Sequence, residues 1–269
     1  MRRALATVAL VLLPLVAAAC GGSKSSAPAS VHGSSARAAV QNAVEKSAQV
    51  GGQRVSMQGR LSVAGHTIPM TVSGVFDSTS HEGSAHATVA FGGITAGLDE
   101  ILDGTVVYMR SPLLASTLPN GKSWFKLDLQ ELGARRGIDF SALLTQDPTR
   151  TLDQLKGLRD VRRIGTATIG GVETTHYRAR LDIAKVAQGA KIEALTKARY
   201  GPYDVWVGDD DGYVHRVRFS VSYAEANANP AFMTMTIDYS DFGTSAGIVV
   251  PPASQVFDAT NVSLKGLGA

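Results

Sequence analysis

Residues 54–76 alternate apolar and polar side chains with a period of two, and no other feature constrains the fold of this chain as strongly. Val55, Met57, Leu61 and Val63 take one parity, and Ser56, Gln58, Arg60 and Ser62 the other. After a turn at Ala64-Gly65-His66, the residues Ile68, Met70, Val72 and Phe76 repeat the apolar parity against Thr67, Thr71 and Ser73. A helix repeats every 3.6 residues, so only half-buried strands fit this pattern. The alternation returns at 84–91, with Ala85, Ala87, Val89 and Phe91 on one side, and at 94–102 and 105–110 across Asp103-Gly104. It continues at 123–128, 203–207, 213–223 and 232–241, where Met233, Met235, Ile237 and Tyr239 share a parity. Short turns between successive strands predict antiparallel pairing with one wet face.

The sharpest turn signal is Gly170-Gly171, between alternating runs in residues 161–182. Glycine enters the positive-φ wells of a two-residue type I′ turn without steric cost, so the segment reads as a tight hairpin. That register sets Ile164 opposite Tyr177 and Thr166 opposite Thr175, with Ala179 and Leu181 on the same apolar face and His176, Arg178 and Arg180 in water. It also sets Arg163 opposite Arg178, a like-charge pair that costs some tenths of a kcal/mol. If the register departs from this ladder, a bulge is expected there.

Helical spacing is expected from the caps Ser34 and Ser35 to about residue 50, in 129–144 and 148–158, and after Asp182. In all, about eleven strands and three or four helices are predicted: an α+β chain, mainly β, as one curved antiparallel sheet whose open side the helices cover. Pro251-Pro252 excludes a central strand near the end, so residues from 243 onward read as a tail.

The N-terminus is a processing signal. Arg2 and Arg3 precede an apolar run at 5–16 and the small residues Ala17-Ala18-Ala19, the layout of a signal peptide too short and too interrupted by Pro14 to span a bilayer. Cys20, the chain's single cysteine, follows, and the arrangement resembles a bacterial lipoprotein precursor, although Ala17 stands where the usual lipobox has leucine. The expected organisation is a signal peptide at 1–19, a lipidated Cys20 with a flexible tether at 20–33, and one domain at 34–269. Each buried acyl CH₂ contributes about 0.8 kcal/mol, so several chains would hold the mature protein on the extracytoplasmic face of the membrane. Loss of Arg2 and Arg3 lowers the formal charge from +3 to 3 − 2 = +1. With no basic block interleaved with aromatics, nucleic-acid binding is not expected.

Candidate catalytic motifs fail on context. Gly243-Thr244-Ser245-Ala246-Gly247 matches a nucleophile elbow, but that elbow needs a following helix, which Pro251-Pro252 forbids. Gly121-Lys122-Ser123 resembles the end of a P-loop, but Ser116 stands where the first glycine belongs and a strand follows. Asp209, Asp210 and Asp211 lack the ligand register of a calcium loop and read as a hairpin turn. His81 and His86 are five apart, and His176 and His215 fall on strands, so no metal and no cofactor is expected.

Several stretches carry a family resemblance: Tyr108-Met109 with Trp124-Phe125-Lys126-Leu127, the hairpin Gly171-Val172-Glu173-Thr174-Thr175-His176-Tyr177, Val205-Trp206-Val207 with Asp211-Gly212 and Arg216, and Tyr239-Ser240-Asp241-Phe242-Gly243 before Pro251-Pro252. Through these the chain resembles the LppX/LprA/LprF/LprG lipoproteins of the mycobacterial envelope, within the LolA/LolB-like fold. The resemblance implies a half-barrel with helices in its mouth, in which some members carry lipids and others bind proteins.

All methionines beyond Met1 fall on inward parity, and their flexible thioethers suit a cavity that moulds around acyl chains. The expected lining is Met57, Leu61, Met70, Val72, Phe76, Val89, Phe91, Val107, Met109, Tyr177, Met233 and Met235. The expected function is that of a non-enzymatic, monomeric, membrane-anchored lipoprotein that binds a lipid or lipoglycan acyl chain, with a role in envelope lipid transport. The alternative is a protein-binding envelope sensor or assembly lipoprotein with a filled core.

Overall fold

The computed structural model describes residues 36–63, 65–77, 79–115, 118–136, 158–181, 198–223 and 231–260. A first helix, α1 (Ala36–Gln49), leads into β1 (Gly52–Val63), β2 (His66–Asp77), β3 (Glu82–Phe91), β4 (Ile94–Asp103) and β5 (Val106–Arg110). One helical turn, α2 (Pro112–Ala115), precedes β6 (Trp124–Asp128) and α3 (Leu129–Arg136). The second half comprises β7 (Leu158–Ile169), β8 (Val172–Leu181), β9 (Ala198–Tyr200), β10 (Tyr203–Gly208), β11 (Val214–Tyr223), β12 (Ala231–Ser240) and β13 (Val256–Asp258).

These strands form one curved open sheet in the order β13-β6-β5-β4-β3-β2-β1-β12-β11-β10-β8-β7, with β9 also paired to β11. The two chain halves therefore meet at β1–β12. The predicted inward parity holds: Met57 lies opposite Val72 and Ile237, and Leu61 opposite Ile68 and Met233. On the outer face one row of directly facing residues runs from β8 to β5: His176, Trp206, Arg216, Asp238, Ser56, Ser73, His86, Asp99 and Arg110.

The described residues contain thirteen strands against about eleven predicted, and β9 and β13 each have three residues, too few to show a period. β13 forms inside the expected tail and pairs parallel with β6, the one parallel pair among the described residues. It lies at the edge, as two prolines before it require. Lys122 fastens it, with Nζ donating to the Val256 carbonyl at 2.7 Å, and Lys126 pairs with Asp258 at 2.7 Å. β9 and β10 act as one strand broken at Gly201-Pro202, with the Gly201 N–H still donating to Ser220 O at 2.8 Å.

The β7–β8 hairpin turns at Gly170-Gly171, whose φ values of 57° and 88° are those a type I′ turn needs. Thr166 faces Thr175 and Gly165 faces His176, as expected, but the register then shifts, so that Arg163 faces Tyr177. Ile164 is the bulged residue and is 45% exposed, so it does not oppose Tyr177. Arg162, not Arg163, faces Arg178. The bulge moves the like-charge pair by one position without removing it.

α1 packs its Ala39, Val40 and Ala43 on β7, β10 and β11, while α2 lies beside β4 and α3 beside β5 and β6. Asp128 caps α3, its Oδ1 accepting from the Glu131 N–H at 3.0 Å. The predicted caps of α1, the helices at 148–158 and after Asp182, and the first predicted helix beyond residue 136 lie outside the described residues.

Candidate ligand-binding face

The inward face of the central strands is apolar from β3 to β11. Val55, Met57, Met70, Val72, Ala87, Phe219, Val221, Met233, Met235 and Ile237 are buried in one cluster, with Leu61, Phe76 and Val89 partly buried against it. Register explains the grouping, because Met70 and Met235 both face Gly59. A Cβ on Gly59 would lie 2.7 Å from Met70 Cγ and 3.0 Å from Met235 Cε. The missing side chain is the space into which two thioethers fold.

The described lining residues fall into three buried clusters, of which the central one is the largest. Val107 and Met109 belong to a second cluster with Leu129 of α3. Tyr177 belongs to a third, beneath α1, with Ala179, Val205, Val207 and Val214. Strand parity is shared by every residue on a face, so it cannot tell which residues of that face cluster together. Phe91 ends β3 opposite Ile94. Cys20 lies outside the described residues.

One inward residue was missed. Glu100 of β4 faces Ala85 on one side and Met109 on the other, so its carboxyl shares the apolar face. Burial pushes its pKa up to about 7. Among the described residues, no cation or hydrogen-bond donor compensates it. The signal was in the sequence: Leu98, Glu100 and Leu102 share a parity.

The outer face near β8 is only partly wet. Asp204 is buried and accepts from Arg178 Nε at 2.7 Å, and its Oδ1 lies 2.9 Å from His176 Nε2. Burial alone would raise the Asp204 pKa, but the hydrogen bonds from Arg178 and His176 outweigh it and hold the carboxyl below its usual range. The His176 ring stacks on Trp206 at 4.3 Å between centroids, and the Arg216 guanidinium lies 6.0 Å from the same indole while pairing with Asp238. His215, buried, has Nε2 2.9 Å from Asp211 Oδ2. Each of these two strand histidines has a carboxylate partner, as expected of sheet histidines rather than ligands.

The motif candidates take structural roles. Residues 244–250 contain no helix, and Ser245 is exposed. Lys122 is committed to carbonyls of the β13 segment, including Val256 O. Asp209 accepts from Thr175 Oγ1 at 2.6 Å, which ties the acidic turn to β8. Among the described residues, no group of three His, Cys, Asp or Glu side chains could hold a metal ion, and no helix is long and apolar enough to cross a membrane.

No family model matches the chain. A candidate lipoprotein of Streptomyces coelicolor, SCO4650, is 28% identical over 142 residues, covering 51% of this chain and 43% of that protein. An uncharacterized 31.2 kDa protein of Streptomyces griseus, from the rplA–rplJ intergenic region, is 25% identical over 162 residues, covering 54% of this chain and 51% of its own. The chain spans about half the length of the curated relatives it matches. Among solved structures, the Mycobacterium tuberculosis lipoprotein LppX aligns with a TM-score of 0.50 and 13% identity over 80% of this chain and 98% of LppX. The fold is therefore LppX-like, in line with the resemblance in the sequence.

Proposed function

We propose that this protein is a lipoprotein, held on the extracytoplasmic face of the cell membrane by acyl chains on Cys20, which binds the acyl chain of a lipid or lipoglycan against its inward sheet face and serves envelope lipid transport. One observation carries the reading. Four methionines, Met57, Met70, Met233 and Met235, converge on the central strands, while the described helices pack chiefly on β4–β7, β10 and β11. A face of flexible thioethers adapts to chains of varied shape. Burial of about ten methylenes would contribute about 8 kcal/mol before the entropic cost of association, enough for useful affinity. The LppX-like fold and the likeness to SCO4650 support lipoprotein character.

The test is native mass spectrometry of the acylated protein extracted from its own membrane. The expected spectrum shows an excess mass of one lipid, which Met70→Asp with Met235→Asp removes. A clean apo mass, with a co-purifying protein, would overturn the carrier in favour of an envelope sensor. Radiolabelled palmitate should attach to the wild-type protein and not to Cys20→Ala.

A further inference from the structure

At the free end of β8 the structure holds a recess of about 490 Å³ lined by Asp160, Arg162, Arg178, Ala179, Arg180 and Pro202. Its charge is predominantly positive, three arginines against Asp160. In register, Arg162 faces Arg178, a like-charge cross-strand pair, and Arg180 lies two residues further along the same strand. Such pairs are unfavourable unless an anion or water separates them. Asp204 answers Arg178, whereas among the described residues no carboxylate pairs with Arg162 or Arg180. Both are exposed. The formal charge of the whole chain is only +3, so this excess is local.

The position of α1 gives an independent observation. Its C-terminal end is fixed at the β10–β11 turn, where Lys46 donates to the Asp211 carbonyl and Ser47 Oγ accepts from the Val214 N–H at 2.9 Å. Ala36, at the other end, packs in the same cluster as Val161 and Tyr203. Tyr203 starts β10 opposite Ala179, immediately after Pro202. The chain that follows Cys20 therefore enters the domain at the arginine end. Fifteen residues lie between Cys20 and Ala36, a span of ~55 Å at full extension.

We infer that this arginine-lined recess is a docking site for the anionic phospholipid headgroups of the membrane in which Cys20 is anchored. Guanidinium groups bind phosphate bidentately, and the negative surface potential of an anionic bilayer attracts each exposed arginine. Docking there would fix which end of the sheet faces the bilayer. The membrane placement rests on the proposed lipid anchor, but the contact itself can be measured without it.

The mature chain carrying Cys20→Ala, which cannot be acylated, is mixed with vesicles of phosphatidylcholine alone or with a third of the lipid as phosphatidylglycerol, and the bound fraction is read by sedimentation. Expected are clear preference for the anionic vesicles, loss of binding with rising salt, and a fall on the order of tenfold for Arg162→Gln with Arg180→Gln. Arg162→Lys with Arg180→Lys should retain most of the binding. Circular dichroism of the glutamine variant should match wild type, since both side chains are exposed. Equal binding to neutral vesicles, wild-type binding by the glutamine variant, or full displacement by inorganic phosphate at low concentration would each overturn the proposal, the last in favour of a soluble phosphate ligand. Native mass of the acylated glutamine variant separates the two readings: retained lipid with lost docking leaves the carrier intact, and vesicle preference in a protein that carries no lipid leaves the docking site intact.

Discussion

The β1–β2 and β7–β8 hairpins have the same strand lengths at their start and opposite characters. β1 and β2 pair through twelve successive positions from Gly52–Asp77 to Val63–His66 without a shift. β7 and β8 shift register twice within one hairpin. The first pair lies mid-sheet between β12 and β3, and a slip of one residue would turn Met57, Met70 and Val72 to water. The second ends the sheet, so a slip exposes less and irregularity is tolerated. Bulges and arginines on β7 also blunt an edge that would otherwise recruit other chains. Regularity follows the amount of apolar surface that depends on it, and the polar chemistry collects where little does.

Glycine substitution should break the two regions unequally. A Cβ on Gly52 would sit 1.6 Å from the Thr244 carbonyl oxygen, a backbone atom that cannot rotate away. Gly52→Ala should lower unfolding stability in urea by about 3 kcal/mol. A Cβ on Gly165 of β7 would meet no heavy atom within 4 Å. Gly165→Ala should therefore stay within about 0.5 kcal/mol of wild type; equal effects at the two sites would remove the distinction between centre and edge.

Asp204 sharpens the comparison on the irregular side. Asp204→Asn weakens a buried acceptor for Arg178 and His176 and should cost about 2 kcal/mol at neutral pH. Its folded-state pKa lies below the ordinary value of 3.8, so the stabilisation is complete above that value and is lost as pH falls through the folded one. The difference between wild type and variant, followed in urea melts at decreasing pH, should shrink in that acid window. A difference independent of pH would show that packing, not charge, makes the contribution.

Glu100 tests the apolar face, with the opposite sign. Its folded-state pKa of about 7 exceeds the ordinary value of 4.5. Between these values the folded state keeps a proton that the unfolded chain has released, so wild-type stability falls as pH rises through the window and levels off above it. Glu100→Gln should remove that fall and be more stable than wild type by about 1.5 kcal/mol above pH 7, less than the full shift implies because the side chain is only partly buried. The two proteins should match in acid. A lack of any gain at alkaline pH would place the carboxyl in water instead.

Strand existence and parity were legible because period two and glycine turns are local: every inward methionine among Met57, Met70, Met109, Met233 and Met235 is buried. The bulge at Ile164 was not, since an inserted residue leaves the hydrophobic pattern ambiguous by one position; the only sign was an arginine facing an arginine. β13 was hidden because its three residues are held by Lys122 and Lys126, whose partners Val256 and Asp258 lie 134 and 132 residues further along the chain. Inward parity was legible, whereas the grouping of the inward residues into three clusters was not. Which of these residues meet depends on strand order, and the β1–β12 seam that fixes that order is a contact between distant parts of the chain.

That seam has a consequence for biogenesis. Arg54 pairs with Ser240, so β1 lacks one of its two neighbours until the chain has been synthesised as far as β12. Closing so large a loop is entropically unfavourable and slow. A chain of this design cannot complete its central sheet before β12 has been made, and until then the apolar face of β1 lacks one of the strands that flank it.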